Sequence, residues 1–175
     1  MDDVAKLLAI QSIRNSKARY GRGADTQDWD VFASSFTEDA LWDERGWAIA
    51  RFQGTGEWNS VGCEVDYSVL EEMSTIQPWP IRGRAAIQES GRDVTNGVAT
   101  FHQMLNPEIE FLTDTCASVV WPFQDTLHFP KGSPIECFDG LGRYIETYAP
   151  EGDEWRIKTC RVLRFIATVK GPIDE

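Results

Sequence analysis

Two residues suited to acid–base chemistry stand near the end of the first helical pattern of this chain. Tyr20 and Asp25 lie five positions apart, which on a regular helix separates them by about 140° around the axis. Both can face one cavity only if the helix loosens between them, and Gly21 and Gly23 would permit this. A phenol can donate to a developing oxyanion, and a carboxylate can orient a histidine. Both are therefore candidate catalytic residues, although a carboxylate before a helix start is usually only a cap.

Two further candidates lie in the second half of the chain, in runs rich in β-branched and aromatic residues. His102 stands among the apolar residues of a predicted strand, and a neutral imidazole suits a general base near neutral pH. Asp125 is evenly spaced from Trp121 and Phe123, so it shares their face if the strand is regular. Pro122 weakens that inference, because it predicts a bulge, a bend or an edge. A single histidine in such a run is more often structural, so its role depends on its partners.

The composition is typical of one globular domain. The 175 residues are 42% hydrophobic and 11% aromatic, which is enough to bury a core. The formal net charge of −11 argues against nucleic acid and anionic membranes as partners, since both select positive surfaces. The N-terminus shows no basic region before a long apolar run, and no stretch approaches a membrane span. A cytoplasmic protein is expected.

The cysteines and histidines limit the metal and redox chemistry. The four cysteines are widely spaced and form no Cys-x-x-Cys pair, so free thiols in a reducing compartment are expected. Only two histidines are present, which argues against a zinc site. The sequence also lacks a glycine-rich phosphate loop. A protein that needs neither a metal nor a cofactor is therefore expected.

Three helices must position the first two candidates. The apolar spacing predicts the first over residues 3–21, capped by one of the aspartates at its start. Asp28 is the predicted cap of a second short helix, whose apolar face covers residues 29–36. The third is predicted from about residue 81 to 97.

Strands follow the helices and must position the other two candidates. A first short strand starts at Leu41, after a turn signal at residues 38–39, and a loop covers residues 132–139. The remaining strands are predicted at residues 100–104, 108–112, 115–123, 140–148 and 155–168. This order predicts an α+β fold in which a curved, mostly antiparallel sheet wraps over helices. The interior of such a cone is the expected ligand cavity.

One long segment, residues 46–80, has no regular period of its own. It is predicted to be an insertion within a single domain that spans residues 1–175. Long loops in compact domains are uncommon and often functional, so the segment is either a lid on the cavity or a cover for the edge of the core.

The joint order of short motifs along the chain resembles a known family. The motifs are Tyr20-x4-Asp25, Asp28-Trp29-Asp30, Phe36-Thr37-Glu38-Asp39-Ala40, Gly83-Arg84-Ala85-Ala86-Ile87, Phe101-His102-Gln103, Asn106-Pro107-Glu108-Ile109, Gly142-Arg143-Tyr144-Ile145-Glu146-Thr147-Tyr148 and Trp155-Arg156-Ile157, with Arg161 and Arg164. Their order resembles the SnoaL-like family of the nuclear-transport-factor-2-like (NTF2-like) superfamily, except over about residues 46–80 and 129–139. The resemblance implies the NTF2-like cone, three N-terminal helices packed on a curved, mostly antiparallel sheet.

Within that superfamily the chain is most similar to dehydratases of the scytalone and bile-acid 7α types. The resemblance implies a cofactor-independent lyase that removes water from a hydrophobic hydroxy-ketone or polycyclic substrate. Such dehydratases pair an aspartate at the end of the first helix, here Asp25, with a strand histidine, here His102. The bile-acid type also suggests a tyrosine, here Tyr20, and a later strand acid, here Asp125. These four residues are the predicted catalytic set.

The predicted substrate-contacting residues are Trp42, Trp121, Tyr144 and His128, the last as a counterpart of the second site histidine of scytalone dehydratase. Two other functions stay open. The same dyad would serve a ketosteroid-isomerase-like isomerase or a polyketide cyclase, and the fold would also serve a non-catalytic small-molecule-binding module. The resemblance further implies a homodimer or homotrimer packed through the outer sheet face.

Overall fold

The computed structural model describes residues 1–46, 51–52, 80–133 and 135–171. Most of the predicted insertion, and with it the choice between lid and cover, lies outside the described residues. The helices are α1 (Asp3–Asp25), α2 (Trp29–Ala33) and α3 (Arg84–Thr95). The strands are β1 (Phe36–Gly46), β2 (Arg51–Phe52), β3 (Ile81–Arg82), β4 (Ala99–Met104), β5 (Glu108–Thr113), β6 (Cys116–His128), β7 (Cys137–Glu151) and β8 (Glu154–Lys170).

The strands form one sheet in the order β3-β1-β8-β7-β6-β4, with β2 beside β8 and β5 beside β6. β1 and β2 run parallel to β8, and all other pairs are antiparallel. α1 lies against β4 and β8, and α2 packs between α1 and α3. The predicted α+β fold with a mostly antiparallel sheet is confirmed. None of the helices in the described part is long and apolar enough to span a membrane.

α1 begins as predicted but ends later. The side chain of Asp2 caps its first turn, and the helix continues past the predicted end at Gly21 to Asp25. A Cβ atom at Gly23 would lie 2.4 Å from the backbone nitrogen of Phe32. This glycine therefore allows α2 to approach α1 closely instead of loosening the helix. The predicted loosening before Asp25 is wrong.

α2 is capped by Asp28 as predicted, since its carboxylate accepts the N–H of the third helical residue at 3.1 Å. The helix is shorter than predicted, because Phe36 already begins β1. Residues 38–39 lie inside β1 and do not form the predicted turn. The register of β1 on β8 shifts between Phe36 and Leu41, so the irregularity at these acidic residues is taken up within the strand.

The third predicted helix also starts too early. Residues 81–82 form β3 and pair with β1, and Gly83 follows with a φ of 88°. This left-handed conformation favours glycine and turns the chain from the strand into α3. The predicted helix is therefore correct only from Arg84 onward.

β6 is regular through Pro122. Its register on β7 runs without a shift, whereas on the other side β4 pairs with residues 123–128 and β5 with residues 116–120. Pro122 therefore lies at the junction between two partner strands, where the missing N–H has no ladder partner to lose. Of the three predicted alternatives, a local edge is the one observed. Asp125 consequently stays on the buried face of β6.

The later strands are longer than predicted. β7 and β8 extend over Cys137–Glu151 and Glu154–Lys170, and Gly152 between them has a φ of 64°. Within the described residues the cysteines Cys116, Cys137 and Cys160 are free thiols, as predicted. Cys63 lies outside these residues.

Candidate active site

Asp25 and His102 meet where the last turn of α1 crosses β4. His102 Nδ1 lies 2.6 Å from Asp25 Oδ1, and an ionised carboxylate only accepts, so Nδ1 carries the proton. Asp25 Oδ2 also accepts the backbone N–H of His102 at 3.0 Å. The hydroxyl of Thr100 donates to Oδ1 at 3.0 Å. Three donors therefore fix this carboxylate.

The second ring nitrogen of His102, Nε2, is the one that can act as a base. The side chains of His102 and Asp25 are 11% and 18% exposed. Among the described residues, no group is hydrogen-bonded to Nε2. A histidine whose Nδ1–H is held by a carboxylate presents Nε2 as a base. The His102–Asp25 pair can therefore accept a proton from a molecule bound next to Nε2.

Tyr20 reaches the same interior from the other flank of α1. Its hydroxyl lies 3.4 Å from that of Tyr144 on β7, and its ring stands nearly perpendicular to the ring of His102, with the centroids 6.2 Å apart. Because α1 crosses the sheet, side chains on two flanks of an unbroken helix contact different strands of one sheet face. Tyr20 and Asp25 thus border one region without any loosening of the helix.

Asp125 forms a buried ion pair with Arg164. Arg164 Nε lies 3.2 Å from Asp125 Oδ2, and Nη2 donates to the same oxygen. The two side chains are 0% and 3% exposed. Asp125 is the cross-strand neighbour of His102 on β4 and of Gly140 on β7. A Cβ at Gly140 would lie 2.2 Å from Asp125 Oδ1, so glycine provides the space for this pair.

Arg164 was not among the predicted site residues. The sequence carried a usable signal, because Arg164 follows Val162 at strand spacing in an otherwise apolar run. A charged residue on the buried face of a strand requires a partner. Pairing it with Asp125 from the sequence alone would have required the register of β6, β7 and β8.

A second buried ion pair, which was also not predicted from the sequence, joins α1 to β7. Lys17 Nζ lies 2.6 Å from Glu146 Oε1, with side chains 1% and 0% exposed. The hydroxyl of Tyr148 donates to Glu146 Oε2 at 2.7 Å. The ammonium lies 3.3 Å from the ring centroid of Tyr144 and 4.1 Å from that of Tyr20. Burial first, and then the Glu146 carboxylate, raise the pKa of Tyr148 well above its usual value.

The predicted substrate-contacting residues take different positions. Trp42 and Tyr144 are buried in the core, with the Tyr144 ring 4.4 Å from that of Phe123. Trp121 lies on the same buried face of β6 as Phe123. His128 is exposed at the end of β6, opposite Ala99. The structure does not bring His128 into contact with the dyad.

A groove of about 750 Å³ runs along α1 and the connection from β4 to β5. It is lined by Arg14, Lys17, Ala18, Met104, Leu105, Asn106, Pro107 and Trp121. Met104 occupies the same face of β4 as His102, two residues further along. Within the described ranges, no three His, Cys, Asp or Glu side chains are grouped so that they could hold a metal ion.

Comparison with known proteins gives one family match. The profile of the SnoaL-like domain matches residues 5–161. No curated protein matches the chain significantly.

Several solved structures share the fold. A "Putative Scytalone Dehydratase" from Novosphingobium aromaticivorans DSM 12444 is 17% identical, with a TM-score of 0.69 over 99% of both chains. A hexachlorocyclohexane dehydrochlorinase, LinA type 2, is 14% identical, with a TM-score of 0.71 over 99% of this chain and 97% of its own. Rv3472 from Mycobacterium tuberculosis, a protein of unknown function, is 22% identical, with a TM-score of 0.64 over 94% and 76%. At these identities the likeness shows a common fold.

Proposed function

The chain belongs to the SnoaL-like family, and on that premise we propose that it is a cofactor-independent lyase of the dehydratase type. The substrate class is a hydrophobic hydroxy-ketone or polycyclic substrate. The observation that carries the proposal is the 2.6 Å contact between His102 Nδ1 and Asp25. It leaves Nε2 as a base beside a fixed carboxylate, an arrangement that a simple binding protein does not need.

In the proposed reaction, His102 Nε2 removes a proton from the carbon next to the substrate carbonyl. The C–H electron pair forms the new double bond as the hydroxyl on the neighbouring carbon leaves. Asp25 keeps the imidazole in the Nδ1–H tautomer and stabilises the imidazolium that forms. The imidazolium gives this proton to the departing hydroxyl, which leaves as water, so the net change is loss of one water.

Two further groups act on the substrate oxygens in this proposal. Tyr20 donates to the carbonyl oxygen as negative charge develops there. In this structure its hydroxyl donates to that of Tyr144 at 3.4 Å, a contact that the substrate oxygen would replace. Asp125 accepts a hydrogen bond from the substrate hydroxyl. The Arg164 guanidinium holds Asp125 in place and so orients it for this acceptor role.

The names of two fold neighbours agree with an elimination. One is named as a "Putative Scytalone Dehydratase" and one as a hexachlorocyclohexane dehydrochlorinase. Both names describe removal of a proton and a leaving group from neighbouring carbons. Loss of hydroxide needs a proton for the leaving group, whereas loss of chloride does not. A substrate screen should therefore contain both hydroxylated and chlorinated compounds.

The test is a screen of hydroxy-ketones and polychlorinated cyclohexanes, followed by ultraviolet absorbance and product mass. Dehydration creates new conjugation and removes one water. New absorbance at unchanged mass would indicate the isomerase instead, and tight binding without any reaction would indicate the binding module. His102→Ala should abolish most of the turnover, while His128→Gln, the matched control at the exposed histidine, should leave it unchanged.

A further inference from the structure

Lys17 is in contact with the rings of Tyr20 and Tyr144, whose hydroxyls lie 3.4 Å apart. Its ammonium lies 3.3 Å from the Tyr144 ring centroid and 4.1 Å from that of Tyr20. We propose that Lys17 is a positioning residue that strengthens the Tyr20–Tyr144 hydroxyl pair as a hydrogen-bond donor. The inference rests on the proposed function, in which Tyr20 donates to the substrate oxygen.

The electrostatic reason is the change in ring charge on donation. A phenol that donates a strong hydrogen bond gains negative charge, and a cation over its face stabilises that charge. The interaction is strong at this position because Lys17 is only 1% exposed, and burial weakens the screening by water. Glu146 holds the ammonium in place on its other side, at 2.6 Å.

The Lys17–Glu146 ion pair has the opposite effect on a third buried tyrosine, Tyr148. The Tyr148 hydroxyl faces the Glu146 carboxylate, to which it donates, and burial and that carboxylate raise its pKa. Tyr20 and Tyr144 instead present their ring faces to the ammonium. Tyr20 and Tyr144 therefore contact the Lys17 ammonium, whereas Tyr148 contacts the Glu146 carboxylate.

Stability alone gives little reason for this pair. Replacing a buried ion pair by apolar residues of similar size is often neutral or stabilising, because both charges must be desolvated. A pair that only attached α1 to β7 could be apolar. The contacts of Lys17 with both ring faces supply a reason for keeping the charge.

The experiment measures each phenol directly. The chain has four tyrosines, so protein carrying 3,5-difluorotyrosine gives four fluorine resonances, which Tyr20→Phe and Tyr144→Phe assign. Their titration is followed by NMR against pH in the wild type, Lys17→Met and Lys17→Arg. Tyr148→Phe is the matched control, because it alters the same network without removing the ammonium.

Lys17→Met should move the Tyr20 and Tyr144 titrations to higher pH. Lys17→Arg keeps the charge and should restore most of the effect, and Tyr148→Phe should leave both titrations unchanged. On the substrate found by the screen, Lys17→Met should lower kcat by about 3- to 30-fold with little change in KM, the range expected for one buried cation–π contact.

Unmoved titrations in a folded Lys17→Met protein would overturn the inference, as would equal shifts in Tyr148→Phe, or shifted titrations with unchanged kcat. If Lys17→Met does not fold, Lys17→Met/Glu146→Leu removes both charges and should still shift both phenols to higher pH. The titrations need no substrate. Their failure is therefore distinguishable from failure to find the lyase reaction.

Discussion

The Asp25 carboxylate is hydrogen-bonded to both the backbone N–H and the ring Nδ1–H of His102. One side chain therefore docks β4 on α1 and also sets the tautomer of the proposed base. The ring orientation depends on the position of its own strand. We expect changes at Asp25 to affect both the local structure of β4 and the chemistry of His102.

Asp25 and His102 are expected to act as one catalytic unit. Either substitution removes the same transition-state interaction, so the losses cannot add. His102→Ala should lower kcat/KM by ~10²–10⁴-fold, the usual scale for a general base. Asp25→Asn should lower it comparably, and the double variant should be little worse than the poorer single one. Multiplicative losses in this four-protein cycle would show that the two residues work independently.

Arg164→Met is expected to destabilise the fold strongly. It leaves the Asp125 carboxylate buried without its guanidinium, and breaking a buried pair from one side typically costs about 3–5 kcal/mol. Urea unfolding measures the loss. Arg161→Met, at an exposed position on the same strand, is the control and should change the unfolding free energy by less than about 0.5 kcal/mol. Equal effects at the two arginines would contradict the buried pair.

Gly140→Ala should also disturb Asp125, without removing any charge. The added Cβ would lie 2.2 Å from Asp125 Oδ1, and overpacking of this kind costs about 1–3 kcal/mol. Gly21→Ala is the comparison, because its Cβ would meet nothing closer than 3.7 Å. In a helix that change should be neutral or stabilising by up to about 1 kcal/mol. Thermal unfolding of the two variants should therefore move in opposite directions or differ clearly in size.

The stabilisation of the fold by Glu151 should be lost in acid. Burial raises the pKa of Glu151, but the Glu38 N–H and the Arg84 guanidinium outweigh it, so the folded pKa lies below the usual 4.5. Such a group stabilises the fold above the unfolded pKa, and the contribution is lost as pH falls through the folded pKa. Because its side chain is 34% exposed, Glu151→Gln should cost only about 1 kcal/mol at pH 7.

The acid dependence of Glu151→Gln is the decisive part of that measurement. Urea unfolding of wild type and variant at pH 7 and at pH 3 should show a difference that shrinks at the lower pH. Glu110→Gln, on the exposed face of β5, should give no difference at either pH. If the difference in unfolding free energy between wild type and Glu151→Gln stays constant with pH, the loss comes from the changed shape of the side chain and not from its charge.

The helices and the longer strands could be predicted along the chain because they depend on local spacing. Asp28 illustrates this, since its cap is a contact within one turn. Phe36 was misplaced because its spacing from Phe32 fits a helix, and only pairing with β8 draws it into β1. Local patterns carry no information about a partner more than a hundred residues away.

The candidate site divides in the same way. Asp25 and His102 were predicted as a pair from motif order and are in contact, whereas Lys17 with Glu146 and Arg164 with Asp125 were not paired from the sequence. Both ion pairs join distant elements, and each depends on strand register and on which helix flank faces the sheet. A buried charge in an apolar pattern marked these positions, but the three-dimensional structure was needed to match the partners.

The parallel pairing of β1 with β8 has a consequence for synthesis. β1 is synthesised before the other strands of the described sheet, and its pairs Leu41–Thr159 and Trp42–Cys160 join it to the last of them. Contacts so distant along the chain slow folding, because the intervening loop must close first. The apolar faces of α1 and α2 therefore have no complete sheet to cover them until β8 has been synthesised. A nascent chain at that stage is the form of this protein most exposed to aggregation and to chaperones.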